Sequence, residues 1–135
     1  VATDAQLALQ AALVAALDGH VGAPVFDYVP QDQAYPYVTI GDSTAVDFDT
    51  KTEVGQDHTV TIHTWTRAKG RESCKIVMGA IFGLLHRGAL TVTGHAVIDS
   101  RVVYADVLQD PNETGHPSGP VWHGVQRVRI ITQSN

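Results

Sequence analysis

Tyr35-Pro36-Tyr37-Val38-Thr39-Ile40-Gly41 and His58-Thr59-Val60-Thr61-Ile62-His63-Thr64-Trp65-Thr66 are the two stretches on which the fold turns. Pro36 fixes its own φ and drives Tyr35 out of the α region, so the chain comes into the first stretch extended. Val38 and Ile40 then alternate with Tyr37 and Thr39. Gly41-Asp42-Ser43 interrupts the pattern as a bulge or bend, and Ala45-Val46-Asp47-Phe48 resumes it towards Asp49. The second stretch places Val60, Ile62 and Thr64 on one face and Thr59, Thr61, His63 and Trp65 on the other, the period of a half-buried strand. Polar residues from Thr50 to Gln56 read as the loop between the two.

Outward from this pair, the pattern changes to a helical period. Thr3-Asp4-Ala5-Gln6 has the form of a capping box, followed by Leu7, Ala11, Val14 and Leu17 on one face, widened by Leu9, Leu13 and Ala16. Gly19 and Gly22 end that helix, and Val25-Phe26 is a short apolar run after it. Beyond Arg71 a second amphipathic helix carries Cys74, Val77, Met78, Ile81, Leu84 and Leu85 as its stripe and stops at His86-Arg87-Gly88. Thr91–Leu108 is strand material with break points at Gly94 and Asp99-Ser100. The segment from Asp110 to Pro120 is a loop, and Val121–Thr132 is a last strand in which Val125 breaks the alternation and marks either a bulge or a covered outer face. Helices interleaved with hairpin-compatible strands predict an α+β fold: an antiparallel or mixed sheet with two amphipathic helices packed on one face. At 135 residues the chain suits one domain over 1–135, with contact loops near 50–57 and 109–120.

A formal net charge of −5 argues against a surface built to grip nucleic acid, yet it does not exclude a chain that lines a passage for DNA, where tight binding would be a handicap. Acids crowd the first part (Asp27, Asp32, Asp42, Asp47, Asp49, Glu53, Asp57) and bases the later part (Arg67, Lys69, Arg71, Lys75, Arg87, Arg101, Arg127, Arg129). Such asymmetry either complements a neighbouring copy or is simply solvated. Cys74 stands alone, so no intrachain disulfide forms, and its helical stripe marks it as a small hydrophobe. No apolar run approaches a membrane span, and the first helix lacks the basic leader of a secretory signal.

Catalytic chemistry finds little support. The chain has seven histidines, but His58 and His63 point to opposite faces of one strand, and His95, His116 and His123 have no ligand spacing. They read as surface or interface histidines. Asp42, Asp47 and Asp49 form an acidic strand end; no Gly-x-Ser-x-Gly elbow or phosphate loop occurs. Gly79 and Gly83, inside the second helix, suggest close packing. Trp65 and Trp122 serve either the core or an interface. No catalytic residue, cofactor or metal is expected.

In order and spacing, these segments resemble the tail-terminator or tail-completion proteins of long-tailed bacteriophages and phage-like gene transfer agents. The likeness runs through the first helix, Val25-Phe26-Asp27-Tyr28-Val29-Pro30, the two strand stretches, the helix Glu72–Leu85, Tyr104-Ala105-Asp106-Val107 and Trp122-His123-Gly124-Val125-Gln126-Arg127-Val128-Arg129-Ile130. The Asp110–Pro120 loop is longer and richer in proline than the family's usual turn. The resemblance implies a non-enzymatic subunit, synthesised and assembled in the bacterial cytoplasm, that works at the head–tail junction of a phage-like particle. There it forms a ring, a hexamer by family analogy, on the head-proximal end of the tail tube. The ring stops polymerisation, meets a head-side stopper or connector, and lets DNA pass without specific binding or any membrane involvement. The interface residues implied are Tyr37, Asp47, Asp49, Lys51, Glu53, Asp57, Arg67, Lys69, Arg71, Asp110, Asn112, Glu113 and His116. A head–tail stopper or adaptor ring is the alternative reading, and a small metal-dependent hydrolase a distant one.

Overall fold

The computed structural model describes residues 3–110 and 115–135. Seven elements follow in order: α1 (Gln6–Leu17), β1 (Val25–Phe26), β2 (Tyr37–Asp47), β3 (Gly55–Arg67), α2 (Glu72–Leu85), β4 (His95–Gln109) and β5 (Val121–Ser134). The five strands form one sheet in the order β1-β2-β3-β5-β4, parallel only at β1–β2. The fold is α+β, with a mixed, mainly antiparallel sheet and both helices on one face.

The alternation in β3 decides what the helices cover. His58, Val60, Ile62, Thr64 and Thr66 are buried, whereas Thr59, Thr61, His63 and Trp65 are half-exposed on the opposite side. Leu9, Leu13 and Leu17 of α1 and Val77, Ile81 and Leu85 of α2 meet Val38, Ile40, Val60, Ile62, Val128 and Ile130 in a continuous core. A satellite cluster of Cys74, Met78 and Trp122 extends it beneath the start of α2. There Gly124 is required: a Cβ at that position would lie 2.5 Å from Met78 Sδ and 2.9 Å from Cys74 Sγ.

The expected bulge at Gly41 is present as a register shift between Ile40 and Ser43. A Cβ on Gly41 would fall 2.6 Å from His63 Nε2, so glycine lets the imidazole lie over the β2 backbone. The Thr91–Leu108 material is one long strand with shifts at Val97/Asp99 and Val102/Tyr104. The Tyr35–Pro36 peptide bond is cis.

Several local expectations give way to tertiary contacts. No capping box forms: α1 begins after Ala5 with no side-chain cap, because Gln56 of β3 accepts from Ala5 N (2.8 Å) and donates to Asp4 (2.7 Å). Thr3 instead lends its carbonyl to His95 and to the Ser134 hydroxyl. Leu7 points to solvent, since α1 rests on the Leu9–Leu13–Leu17 line, and Leu84 is likewise partly exposed. Gly79 and Gly83 pack against nothing; they lie on the exposed side of α2, where added Cβ atoms meet open space. Val125 marks no bulge, because β3 and β5 pair without a break from Gly55 to Arg67. His58 and His95 are buried structural groups, His58 bonding Thr132 Oγ1 at 3.0 Å.

Candidate functional surfaces

The thirteen candidate interface positions separate into two groups at opposite ends of the sheet, with Asn112 and Glu113 lying outside the described residues. At one end, Asp47 closes β2 opposite Gln56. The turn beyond it is tied by its own polar groups: Asp47 accepts from Asp49 N and Asp49 from Gly55 N, both at 2.9 Å, and the Thr50 hydroxyl accepts from Glu53 N at 3.0 Å. These bonds leave Lys51 and Glu53 exposed at the tip. Asp57 is not part of that loop. Pairing with β2 and β5 on both sides extends β3 back to Gly55, and Asp57 stands on the open face in a fork-to-fork pair with Arg129, 2.7 Å at the shortest.

At the other end lie Tyr37, Arg67, Lys69, Arg71, Asp110 and His116. Arg67 donates to Gly119 O at 3.0 Å and lies 5.4 Å over the Tyr35 ring, while Arg71 lies 4.4 Å over Trp122. Asp110 N bonds Val121 O at the start of β5, and the His116 imidazole accepts from Ser118 N at 3.0 Å. Gly119 holds φ at +99° with its Cα against the Ala68 carbonyl, a position closed to any side chain. Trp122 donates its indole N–H to the same carbonyl at 2.9 Å, fixing the last turn of the Asp110–Pro120 loop to the end of β3.

The open sheet face carries a feature that sequence reasoning missed. Tyr35, Tyr37, Trp65, His123 and His63 form a continuous run of stacked rings, tightest between Trp65 and His123 at 3.8 Å and 6°. His63 Nδ1 and His123 Nε2 are 2.7 Å apart, so one imidazole donates and the other accepts. Burial holds both below the ordinary histidine value, and on His123 the charge of His63 adds to the effect. Burial also pushes the Tyr37 phenol up. Only the strand register brings these residues together, with Tyr37 opposite Trp65 and Trp65 opposite His123.

Among the described residues no three His, Cys, Asp or Glu side chains gather as metal ligands, and no helix is long and apolar enough to cross a membrane. The Cys74 thiol is buried and raised above its ordinary value by desolvation, the opposite of nucleophile activation. What the surface offers is charge, rings and strand edges suited to protein contact. Such surfaces are the kind that subunits of protein assemblies use.

Comparison with known proteins makes that class specific. Residues 6–133 match the family described as "Tail completion protein gp17". The protein of that name from Bacillus phage SPP1 is 30% identical over 141 residues, spanning 97% of this chain and 96% of the relative. The chain belongs to the gp17 tail-completion family. A solved chain from the virion of a native gene transfer agent particle has the same fold, with a TM-score of 0.80 over 98% of this chain and 100% of that one, at 22% identity. The protein is therefore a non-enzymatic structural component of a phage-like particle, acting in tail completion and the joining of tail to head.

Proposed function

We propose that the chain acts as a tail terminator. Copies close into a ring, six by family analogy, on the head-proximal end of the tail tube, halt its growth and offer the opposite surface to a head-side stopper or connector. The observation that carries this reading is the near full-length relation to the tail-completion protein of phage SPP1. The physical form is compatible with it. A subunit whose two ends differ in charge suits head-to-tail contacts that close a ring, and a net charge of −5 suits a lumen that repels the DNA backbone. The Lys51–Asp57 segment and the Asp110–Pro120 loop are the proposed axial contacts with tube and stopper. Assembly takes place in the bacterial cytoplasm before the particle is complete.

Purified tail-tube protein polymerising with and without this chain tests the proposal. Termination predicts that substoichiometric chain, added during growth, fixes tube length and leaves one ring per capped end. Tubes that lengthen unchanged, with the chain bound to the portal-side ring instead, would assign it the stopper role.

A further inference from the structure

We infer that the ring closes edge to edge: the acidic turn Asp47-Phe48-Asp49 of one copy docks in the basic groove between α2 and β4 of the next. This rests on the tail-terminator reading above and specifies the contact between copies.

The sheet order β1-β2-β3-β5-β4 leaves open strand edges on two opposite sides of the subunit. On one side β1 covers only Val38 and Thr39, so the rest of β2 has no outer neighbour. On the other, β4 pairs with β5 alone among the strands. Three strand spacings of about 4.8 Å separate β2 from β4. Two different patches on opposite edges make a heterologous contact, the kind that generates rings.

The turn at the end of β2 sets an apolar ring among acids. Phe48 and Val46 are 44% and 58% exposed, and Asp47 and Asp49 flank Phe48 directly. Each of these carboxylates spends one oxygen on a backbone N–H of the turn, Asp47 on Asp49 N and Asp49 on Gly55 N. Neither is in an ion pair with the described residues of its own chain. The Phe48 amide bonds Gly55 O at 3.0 Å, so the ring is presented from a fixed turn.

The groove lies at the opposite edge. It holds about 370 Å³ and is lined by Arg71, Lys75, Met78, Ala105, Asp106 and Val107. Arg71 is held 4.4 Å over the Trp122 ring and Lys75 is exposed; among the described residues neither has an acidic partner. The one acid of the lining is engaged by its own strand, Asp106 accepting from Val107 N at 2.8 Å and from the Tyr104 hydroxyl at 3.4 Å. Two cations against one carboxylate leave the groove net positive. Met78 gives it a polarizable, adaptable floor that favours contact with an aromatic ring. Val103 and Leu108, 54% and 48% exposed, extend the apolar surface along β4.

An acid-flanked phenyl ring matches this groove in both charge and apolar character. Pairing turn with turn, or groove with groove, would oppose like charges. Tyr28 is a more exposed aromatic, at 87%, but only Asp27 lies beside it.

Cysteine crosslinking on assembled tails tests this, with substitutions at exposed positions and the native Cys74 buried out of reach. Phe48→Cys and Ala105→Cys, each alone, should give no dimer on mild oxidation. The two mixed should give a disulfide-linked pair, and F48C/A105C in one chain should give a ladder ending at the ring's copy number. Lys75→Glu should lower occupancy of tail ends about tenfold, whereas Lys69→Glu, outside the groove, should leave it unchanged. Rings visible at the tail ends with no mixed crosslink, with crosslinking through Tyr28→Cys instead, or with equal loss from both lysine variants would overturn this contact and leave the termination reading intact. Tail ends bare of any ring in the unsubstituted protein would overturn both.

Discussion

On one side of β3, His58, Val60, Ile62, Thr64 and Thr66 lie beneath α1 and α2; on the other, Asp57, Thr59, Thr61, His63 and Trp65 form an open surface of rings and charges. The same backbone serves both. The helix side is closed by packing and tolerates little change, whereas the open side is ordered by ring stacking and by ion pairs such as Arg129–Asp57 that the core does not need. The packing that holds the fold and the exposed rings and charges thus lie on opposite faces, and substitutions on the two faces should differ in their effect on stability accordingly.

The largest expected effect is on the helix side. Ile62→Ala, at a fully buried position, should lower unfolding free energy by about 2–5 kcal/mol, whereas Thr61→Ala beside it should stay within about 0.5 kcal/mol. Urea titration of both variants reads the contrast, and similar losses would erase the division of the faces. Gly124→Ala is next. Its added methyl must displace Met78 and Cys74, at a cost of about 1–3 kcal/mol. A neutral result would mean that the satellite cluster repacks freely.

Acid provides a third, more evenly shared test. Burial lowers His58 on the helix side, and His63 and His123 on the open side, so each takes up a proton less readily folded than unfolded. The unfolded chain then binds more protons below the ordinary value of about 6.5. Stability should be level above that pH and fall as pH drops through it towards the lower folded values. His58→Gln and the pair His63→Gln/His123→Gln should each flatten part of the fall in denaturation midpoints, dividing it between the faces. A midpoint that rises on acidification would contradict the sign. The smallest effect should come from Arg129→Gln: Arg129 is itself half-exposed, so losing its fork-to-fork pair with the largely covered Asp57 should lower the Tm only slightly.

How much of this was legible in the sequence follows from which contacts are local. The β3 alternation, the break at Gly41 and the stripe of α2 are written in near-neighbour spacing, and the α+β layout followed from them. The α1 start was not legible, because Gln56, far along the chain, supplies the bonds that a Thr3 cap would have made. His58 looks polar and is buried because Thr132 of β5 meets it. The ring stack was hidden for the same reason: His63, Trp65 and His123 become neighbours only when β3 and β5 are set in register. At the candidate surfaces, charge asymmetry was visible, but the division into two ends about 35 Å apart required the strand length and pairing.

The most direct test of the central claim is the length distribution and head attachment of tails, by electron microscopy, in cells producing particles with and without this chain. Termination predicts tails of one defined length, joined to heads, when the chain is present, and overlong tubes unable to join heads when it is absent. Unchanged length and attachment without the chain would contradict it.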